Sequence, residues 1–429
     1  MRDLLLMLIV LGLLPFILRY PWVGVLASAW ISLFAPHRLT FGFAYDFQFA
    51  MIFAVATLFG MLINPKQVRL RINAITVLLM LLPFWMTVTL LFALEPADAY
   101  ARWETVIKTF FLVLVSASLL RSRKQLEVFL WVLVLSVGFY GIKGGVFTIV
   151  TGGAQKVWGP EGSYIADNNA IAVALIMIIP LMNYLAGVAT STWVRWGFYG
   201  AMLLCGMAVL GSQSRGALLA ILAMAVFLWL KSRRKFVLGF VLIAVIPLAI
   251  DFMPETWTRR METIETYEED TSAMGRINTW LMAINLANDR PLVGGGFEPY
   301  SRRTFDTYGS GGGIHSAHRI YFQMLGEHGY VGLALFLGLA FASWRLAGRL
   351  IKASRDRPDY AWAGDLARAI QVSLVGFAAG GAFVNISYWD LQYYEIVILM
   401  AAYRLVRAVE PNPGPGRDAM GRKRGLAVT

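Results

Sequence analysis

Two arginines in this chain have positions suited to binding a phosphate group. Arg215 stands in the run Gly-Ser-Gln-Ser-Arg-Gly between two apolar stretches. Its planar guanidinium matches phosphate oxygens, but an arginine at a helix end also reaches to the membrane interface without binding anything. Arg276 lies one helical turn before Trp280. If it binds no anion, it is a solvated charge on an amphipathic helix. Both arginines are therefore candidate anion ligands.

Three of the four histidines fall within a single short segment, and two of them suit acid–base chemistry. His315 and His318 are three residues apart and share a face if the segment is helical. Histidine is the side chain that acts as a base near neutral pH. A metal pair is disfavoured because no third ligand is obvious unless Glu327 or His328 folds back. His328, nearly three turns further along, is predicted to be a packing or hydrogen-bonding residue.

These residues stand among apolar stretches long enough to cross a bilayer. Of 429 residues, 58% are apolar and 15% are charged, whereas soluble domains carry about 25% charged residues. The first 35 residues hold two short apolar pieces, broken by Pro15 and Pro21, which form one crossing, two crossings or a re-entrant hairpin. The sequence predicts an all-α polytopic membrane protein with about 12 transmembrane helices. The other crossings are predicted near 45–63, 72–94, 105–120, 126–150, 168–188, 194–211, 215–230, 236–252, 320–344, 366–385 and 390–406.

Basic residues occupy every second loop, which places those loops in the cytoplasm. The remaining loops are then external, including a long one that is the only sizeable polar region. We predict four segments: N-terminal transmembrane helices over 1–252, the long external loop with the catalytic candidates over 253–318, C-terminal transmembrane helices over 319–408, and a disordered basic cytoplasmic tail over 409–429.

The long loop contains one predicted amphipathic helix. Thr271 or Ser272 caps its beginning, it runs to about Asn288, and Pro291 stops it. Its apolar residues recur at helical spacing and predict one apolar face, which lies on the membrane surface or on the helix bundle. These residues are Ile277, Trp280, Leu281 and Ile284.

Several function classes are disfavoured by what the sequence lacks. No Asp-x-Asp motif occurs in an external loop, and the acidic run 268–270 reads as solvated, so a metal-dependent sugar-nucleotide transferase is disfavoured. No phosphate-binding loop for ATP is found, and no metal or other cofactor is expected. The net charge of +12 does not predict nucleic-acid binding, because the basic residues orient the membrane helices. The single cysteine, Cys205, excludes an internal disulfide.

Three stretches together resemble the O-antigen ligase and polymerase superfamily of membrane glycosyltransferases. They are the run around Arg215, the segment from Gly275 to Phe297, and the segment from His318 to Leu333. One departure is Arg319, which stands where the family commonly has asparagine after the histidine. The stretch 36–44 (PHRLTFGFA) is similar to a subgroup of O-glycosylation ligases linked to exosortase systems.

The resemblance implies a GT-C-like fold and an inverting, metal-independent transferase at the periplasmic face of the bacterial inner membrane. The donor it implies is a polysaccharide on undecaprenyl diphosphate, and the acceptor of a ligase is a lipid A-core sugar. Residues and resemblance together suggest that Arg215 and Arg276 hold the diphosphate, that His318 is the general base and that His315 orients or assists it. Further candidates are Arg302, Arg303 and Arg319, which would hold acceptor phosphates or donor charge. Tyr300, Tyr308 and Tyr321 would stack on sugars or have a simple packing role.

Three other functions stay open on the sequence. A polymerase of the same superfamily uses a second carrier-linked chain as acceptor, and a protein ligase uses an exported protein. A transporter or flippase with about twelve helices is the alternative from another class. Transporters hide ionisable residues at mid-membrane, and Lys108, Lys143 and Glu395 are the residues here that lie near or within apolar spans.

Overall fold

The computed structural model describes residues 1–231, 271–309 and 319–408, without the side chains of residues 231, 271–274 and 276. Within these residues the chain forms α-helices and short 3-10 turns and no β-strand. The helices are α1 (Arg2–Arg19), α2 (Pro21–Phe34), α3 (Phe49–Ile63), α4 (Ala74–Leu90), α5 (Pro96–Leu119), α6 (Arg123–Val150), α7 (Asn168–Val188), α8 (Thr192–Gly211), α9 (Arg215–Lys231), α10 (Thr271–Asp289), α11 (Arg302–Tyr308), α12 (Ile320–Ser354), α13 (Ala361–Gly381) and α14 (Asp390–Arg407).

Ten of the predicted crossings coincide with helices, because long apolar runs must satisfy their backbone groups internally. The first 35 residues form two separate helices that meet at Tyr20, with Pro21 at the first position of the second helix. The predicted crossing 236–252 and the predicted tail 409–429 lie outside the described residues. Four helices of the described part, α6, α7, α8 and α12, are long and apolar enough to span a membrane. Four shorter helices there, α2, α3, α4 and α9, are also apolar.

Helix α7 forms the centre of the bundle. Nearly all of its residues are buried, and it packs against α6, α8, α9 and α13. Small residues permit the close helix approaches on which membrane bundles depend. At Gly145 of α6, for example, an added Cβ would lie 2.1 Å from the Leu204 carbonyl oxygen of α8. The buried Cys205 also lies at this α6–α8 contact.

A break in α12 shapes the region where the catalytic candidates were predicted. Gly329 has a φ of +67°, in the left-handed region that favours glycine, inside an otherwise helical run. The carbonyls of Gly326, Glu327 and His328 lie just before this break. They accept hydrogen bonds from the Gly295 amide at 2.8 Å, the Gly296 amide at 2.9 Å and the Trp85 indole at 3.1 Å. Donors from other segments thus replace the intrahelical hydrogen bonds that the break interrupts.

The three glycines 294–296 are needed for this docking. An added Cβ at Gly294 would lie 2.5 Å from the Gly326 carbonyl oxygen, and Gly294 and Gly296 both have positive φ. The Tyr330 amide donates back to the Pro291 carbonyl at 2.9 Å. The segment after α10 is therefore fixed to the outer part of α12 by main-chain hydrogen bonds.

Helix α10 begins and ends where the sequence predicts, but its predicted apolar face is not the face that is buried against the bundle. Leu281 is 41% exposed, and Trp280 and Ile284 are only half-buried. The helix packs on α12 with Ala283 beside Gly326, and its buried face combines small, polar and large apolar residues. Close backbone approach favours small residues over large apolar ones. The buried residues are Asn278, Thr279, Met282, Ala283, Leu286 and Ala287.

Candidate functional site

Arg215 begins α9 immediately after a tight turn. The Ser214 side chain accepts a hydrogen bond from the Ala217 amide at 3.2 Å, as an N-cap residue does. Gln213 adopts a positive φ of +55°, which is uncommon for a residue other than glycine. Its side-chain amide donates to the Gly153 carbonyl at 3.1 Å. These contacts fix the turn and place the half-buried Arg215 at the beginning of α9.

Contacts between neighbouring residues connect this turn to the two other predicted stretches. An added Cβ at Gly216 would lie 2.5 Å from the Phe383 Cβ, which places α9 against the segment after α13. The Arg319 guanidinium lies 5.2 Å from the Phe383 ring and 3.0 Å from the Trp280 ring. Trp280 in turn stacks on Phe322, with ring centroids 5.5 Å apart. Residues adjacent to, or one turn from, Arg215, Arg276 and His318 therefore meet in one cluster.

The catalytic candidates themselves are only partly described. Arg276 lies in α10, one turn before Trp280, and its side chain lies outside the described residues. His315 and His318 also lie outside them, between α11 and α12. Arg319 directly follows His318 and stands at the beginning of α12. Its stacking on Trp280 is a cation–π contact, so the residue that departs from the family pattern joins α10 to α12.

The contacts that the structure shows for the other candidates are with residues outside this cluster. Arg302 and Arg303 are exposed on α11, where Arg302 pairs with Asp306 at 3.9 Å. The Tyr321 hydroxyl donates to the Ala378 carbonyl at 2.9 Å and so packs α12 on α13. The Tyr308 hydroxyl donates to Asp289 at 2.7 Å. Of the two roles considered for the tyrosines, packing describes these contacts better than sugar stacking.

A buried polar network that was not predicted from the sequence surrounds Glu327. Its carboxylate accepts hydrogen bonds from the Gln323 amide at 3.1 Å, the Tyr300 hydroxyl at 3.3 Å and the Tyr388 hydroxyl. The imidazole of His328 is hydrogen-bonded to the Tyr388 hydroxyl and to the Thr89 hydroxyl, each at 2.7 Å. The prediction that His328 is a hydrogen-bonding residue is confirmed. We call Gln323, Glu327, His328, Tyr300 and Tyr388 the Glu327 network.

One arginine closes this network from α5. Arg102 pairs with Glu298 at 3.4 Å, and its guanidinium lies 4.7 Å from the Tyr164 ring and 5.6 Å from the Tyr388 ring. Glu298 has a positive φ of +48°, a strained conformation that persists only where the surroundings hold it. The network and Arg102 together tie α4, α5, α12 and the segments 294–300 and 382–389 at one end of the bundle.

Burial sets the protonation of the tyrosines in these connecting segments. It raises the pKa of Tyr300 and of Tyr388 well above the ordinary value, and the nearby Glu327 carboxylate acts in the same direction. Burial also raises the pKa of Tyr164 to about 12, although Arg102 opposes it. All three hydroxyls therefore keep their protons at neutral pH. They act as hydrogen-bond donors or packing groups, not as bases.

Sequence signals for the network were present only in part. Glu327 and His328 stand in the motif-bearing segment, but Tyr388 is 61 residues from Glu327 and Thr89 is 239 residues from His328. No periodicity joins such distant positions. Among the described residues, no group of three or more His, Cys, Asp or Glu side chains is arranged to hold a metal ion.

Two families match the chain, one in each half. Residues 200–337 match the model of a family described as O-antigen ligase, and residues 1–190 match a family of unknown function, DUF5935. No curated protein matches the chain. The O-antigen ligase match contains all three stretches that carried the resemblance, together with Trp280, Arg319 and Glu327.

Proposed function

We propose that this chain is an O-antigen ligase, because residues 200–337 match the family described as O-antigen ligase. The enzyme transfers a polysaccharide from undecaprenyl diphosphate to a sugar hydroxyl of lipid A-core. The reaction is inverting, needs no metal, and takes place at the periplasmic side of the bacterial inner membrane. The observation that carries this proposal is the contact series from Gly216 through Phe383 and Arg319 to Trp280.

The contact series supports a shared pocket for the proposed ligands. Arg215 adjoins Gly216, Arg276 stands one turn from Trp280, and His318 precedes Arg319. In this pocket Arg215 and Arg276 bind the donor diphosphate through charge-assisted hydrogen bonds. Arg302 and Arg303, exposed on α11, hold acceptor phosphates.

The proposed step is a single displacement at the anomeric carbon. His318 takes the proton of the acceptor hydroxyl, and the oxygen attacks the anomeric carbon. The bond between that carbon and the diphosphate oxygen breaks, and the carrier diphosphate leaves with the electron pair. Negative charge grows on the leaving group, so the two arginines stabilise the transition state more than the ground state. His315 orients the imidazole of His318.

Substitution of the three residues tests the proposal. Purified protein in proteoliposomes receives an undecaprenyl-diphosphate glycan, and lipid A-core, additional carrier-linked units and an exported protein are offered as separate acceptors. We expect product on lipid A-core only. Arg215→Ala and Arg276→Ala should each lower the rate about 100- to 1000-fold. His318→Ala should lower it about 100- to 10,000-fold.

Arg368→Ala is the matched control, because Arg368 is an exposed arginine that pairs with Asp365 on α13. It should retain the wild-type rate, and excess EDTA should not slow the reaction. If the product forms on carrier-linked units, the enzyme is a polymerase. If it forms on protein, the enzyme is a protein ligase. Near wild-type transfer by His318→Ala would contradict the assignment of the base.

A further inference from the structure

Three cations of the N-terminal part of the chain line one cavity that the proposed reaction does not use. Arg38, Lys143 and Lys156 surround a space of about 350 Å³, whose walls include Tyr140 and Trp158. One carboxylate, that of Glu161, lines the same space. The excess of positive charge favours an anionic occupant. We call this space the cationic cavity.

Lys143 has an unusual position for a lysine. It is exposed on α6, seven residues before the helix ends at Val150, or about 10 Å from that end at 1.5 Å per residue. A cation facing lipid at this depth is costly unless it reaches the headgroups or an anion. Lys143 has no ion-pair partner among the described residues. An anion in the cationic cavity would supply one.

An apolar groove adjoins the cationic cavity, and Arg38 lines both. The groove has a volume of about 690 Å³ and lies between α2, α3 and α5. Most of its polar residues lie in the segment before α3, Lys108 lies on α5, and apolar residues of α3 and α5 line the remainder. The polar residues include His37, Arg38, Asp46, Gln48 and Lys108, and the apolar ones include Phe49, Met51, Ala54, Ile107, Phe111 and Leu112.

The carboxylates near the groove do not block an anionic ligand. Arg38 pairs with Asp46 at 3.1 Å, but the Asp46 side chain is 84% exposed. Lys108 pairs with Glu104 at 2.5 Å on the exposed side of α5. The Arg38–Asp46 pair lies in the loop before α3 and is weak where it is exposed to water, so a phosphate can share or replace Asp46 as the partner of Arg38. Lys108 keeps Glu104 as its partner and is not one of the proposed phosphate contacts.

We propose that the cationic cavity and the groove together bind one phosphate-bearing anionic lipid from the leaflet predicted to be external. The phosphate contacts Arg38, Lys143 and Lys156, and an acyl chain fills the groove. Trp158 is 60% exposed beside the cavity, as interfacial tryptophans are at headgroup level. A free anion would leave the groove without an occupant, so the joined shape favours a lipid. The site lies within the part of the chain matched by the family of unknown function and does not rest on the proposed transferase reaction.

Lipid retention measured by native mass spectrometry tests this site. The full chain in detergent is titrated with dioleoylphosphatidylglycerol and, in parallel, with the zwitterionic dioleoylphosphatidylcholine. We expect one phosphatidylglycerol to be retained selectively. Because each cation near a lipid phosphate changes affinity roughly fivefold, the double variant Lys143→Gln/Lys156→Gln should weaken this binding about 25-fold. The matched control Lys66→Gln/Lys124→Gln removes two exposed lysines that line neither the cavity nor the groove, and it should bind as the wild type does.

A second variant tests the groove separately. Ala54→Trp adds bulk to the groove wall and should weaken dioleoylphosphatidylglycerol without weakening a short-chain analogue. Equal retention of the two lipid classes, or wild-type retention by the double lysine variant, would overturn the proposal. Displacement of the lipid by equimolar inorganic phosphate would do so as well, since it would identify a free-anion site.

Discussion

The Glu327 network and the cationic cavity are both polar regions of an apolar bundle, yet they differ in how their polar groups are matched. In the network, Glu327, His328 and Tyr388 are fully buried and hydrogen-bond to one another. In the cavity, Lys143 is exposed and its charge has no carboxylate partner among the described residues. Buried polar groups must hydrogen-bond to each other, whereas an exposed cation can be paired by a ligand when that ligand binds. The first region therefore stabilises the fold, and the second offers the unmatched charge on which the proposed lipid site depends.

Among the tests of this difference, a substitution of Glu327 should have the largest effect, and that effect is on stability. Glu327→Ala leaves the Tyr300 and Tyr388 hydroxyls and the Gln323 amide without their shared acceptor in a buried region. We expect the free energy of unfolding to fall by about 3 kcal/mol or more, at about 1–3 kcal/mol for each unpaired group. Thermal unfolding in detergent measures the loss. Glu327→Gln keeps an acceptor oxygen and should lose much less; equal Tm values for Glu327→Ala and wild type would show that the network does not stabilise the fold.

A smaller loss is expected at the glycine segment that docks on the network. Gly294→Ala places a Cβ 2.5 Å from the Gly326 carbonyl oxygen at a φ of +58°. Strain of this kind costs about 1–3 kcal/mol, so Tm should fall measurably.

Gly338→Ala is the matched control for this substitution, because Gly338 lies on α12 and nothing stands within 4 Å of its added Cβ. Alanine is the better helix former by about 1 kcal/mol, so this variant should be as stable as the wild type or slightly more stable. If both alanine variants raised Tm, the close approach at Gly294 would not be a constraint.

The smallest effect on stability is expected at the cationic cavity. Arg38→Gln removes an ion pair with the exposed Asp46 and a cation–π contact with Tyr45 at 4.6 Å, and each contributes about 0–1 kcal/mol. The Tm of Arg38→Gln in detergent without added lipid should therefore stay close to that of the wild type. A Tm loss as large as that of Glu327→Ala would mean that Arg38 is structural, and the contrast between the two regions would disappear.

Much of the fold could be predicted from the sequence, because apolar length alone determines where a membrane helix forms. The predicted crossing 168–188 coincides with α7, and the predicted helix from Thr271 to about Asn288 coincides with α10. The buried face of α10 could not be predicted in the same way. It depends on how closely α12 approaches at Gly326, which is a property of the packing and not of one helix.

The candidate site was less predictable than the fold. The stretches around Arg215, Arg276 and His318 could be selected from residue types, and the contact series supports their convergence. The role of Phe383 as the residue between Gly216 and Arg319 could not be foreseen, since it lies 64 or more positions from either in the sequence. Partners such as Tyr388 are likewise set by the tertiary fold.

The break at Gly329 has a consequence for how the protein meets membranes of different thickness. A continuous helix that tilts to fit a thinner bilayer reorients along its whole length. Here the nine residues from Ile320 to His328 are held by the segment 294–296, while the rest of α12 continues beyond the left-handed glycine. We therefore expect only the part of α12 after Gly329 to change its tilt when the lipid composition changes. The stack of Arg319 on Trp280 should then keep its orientation.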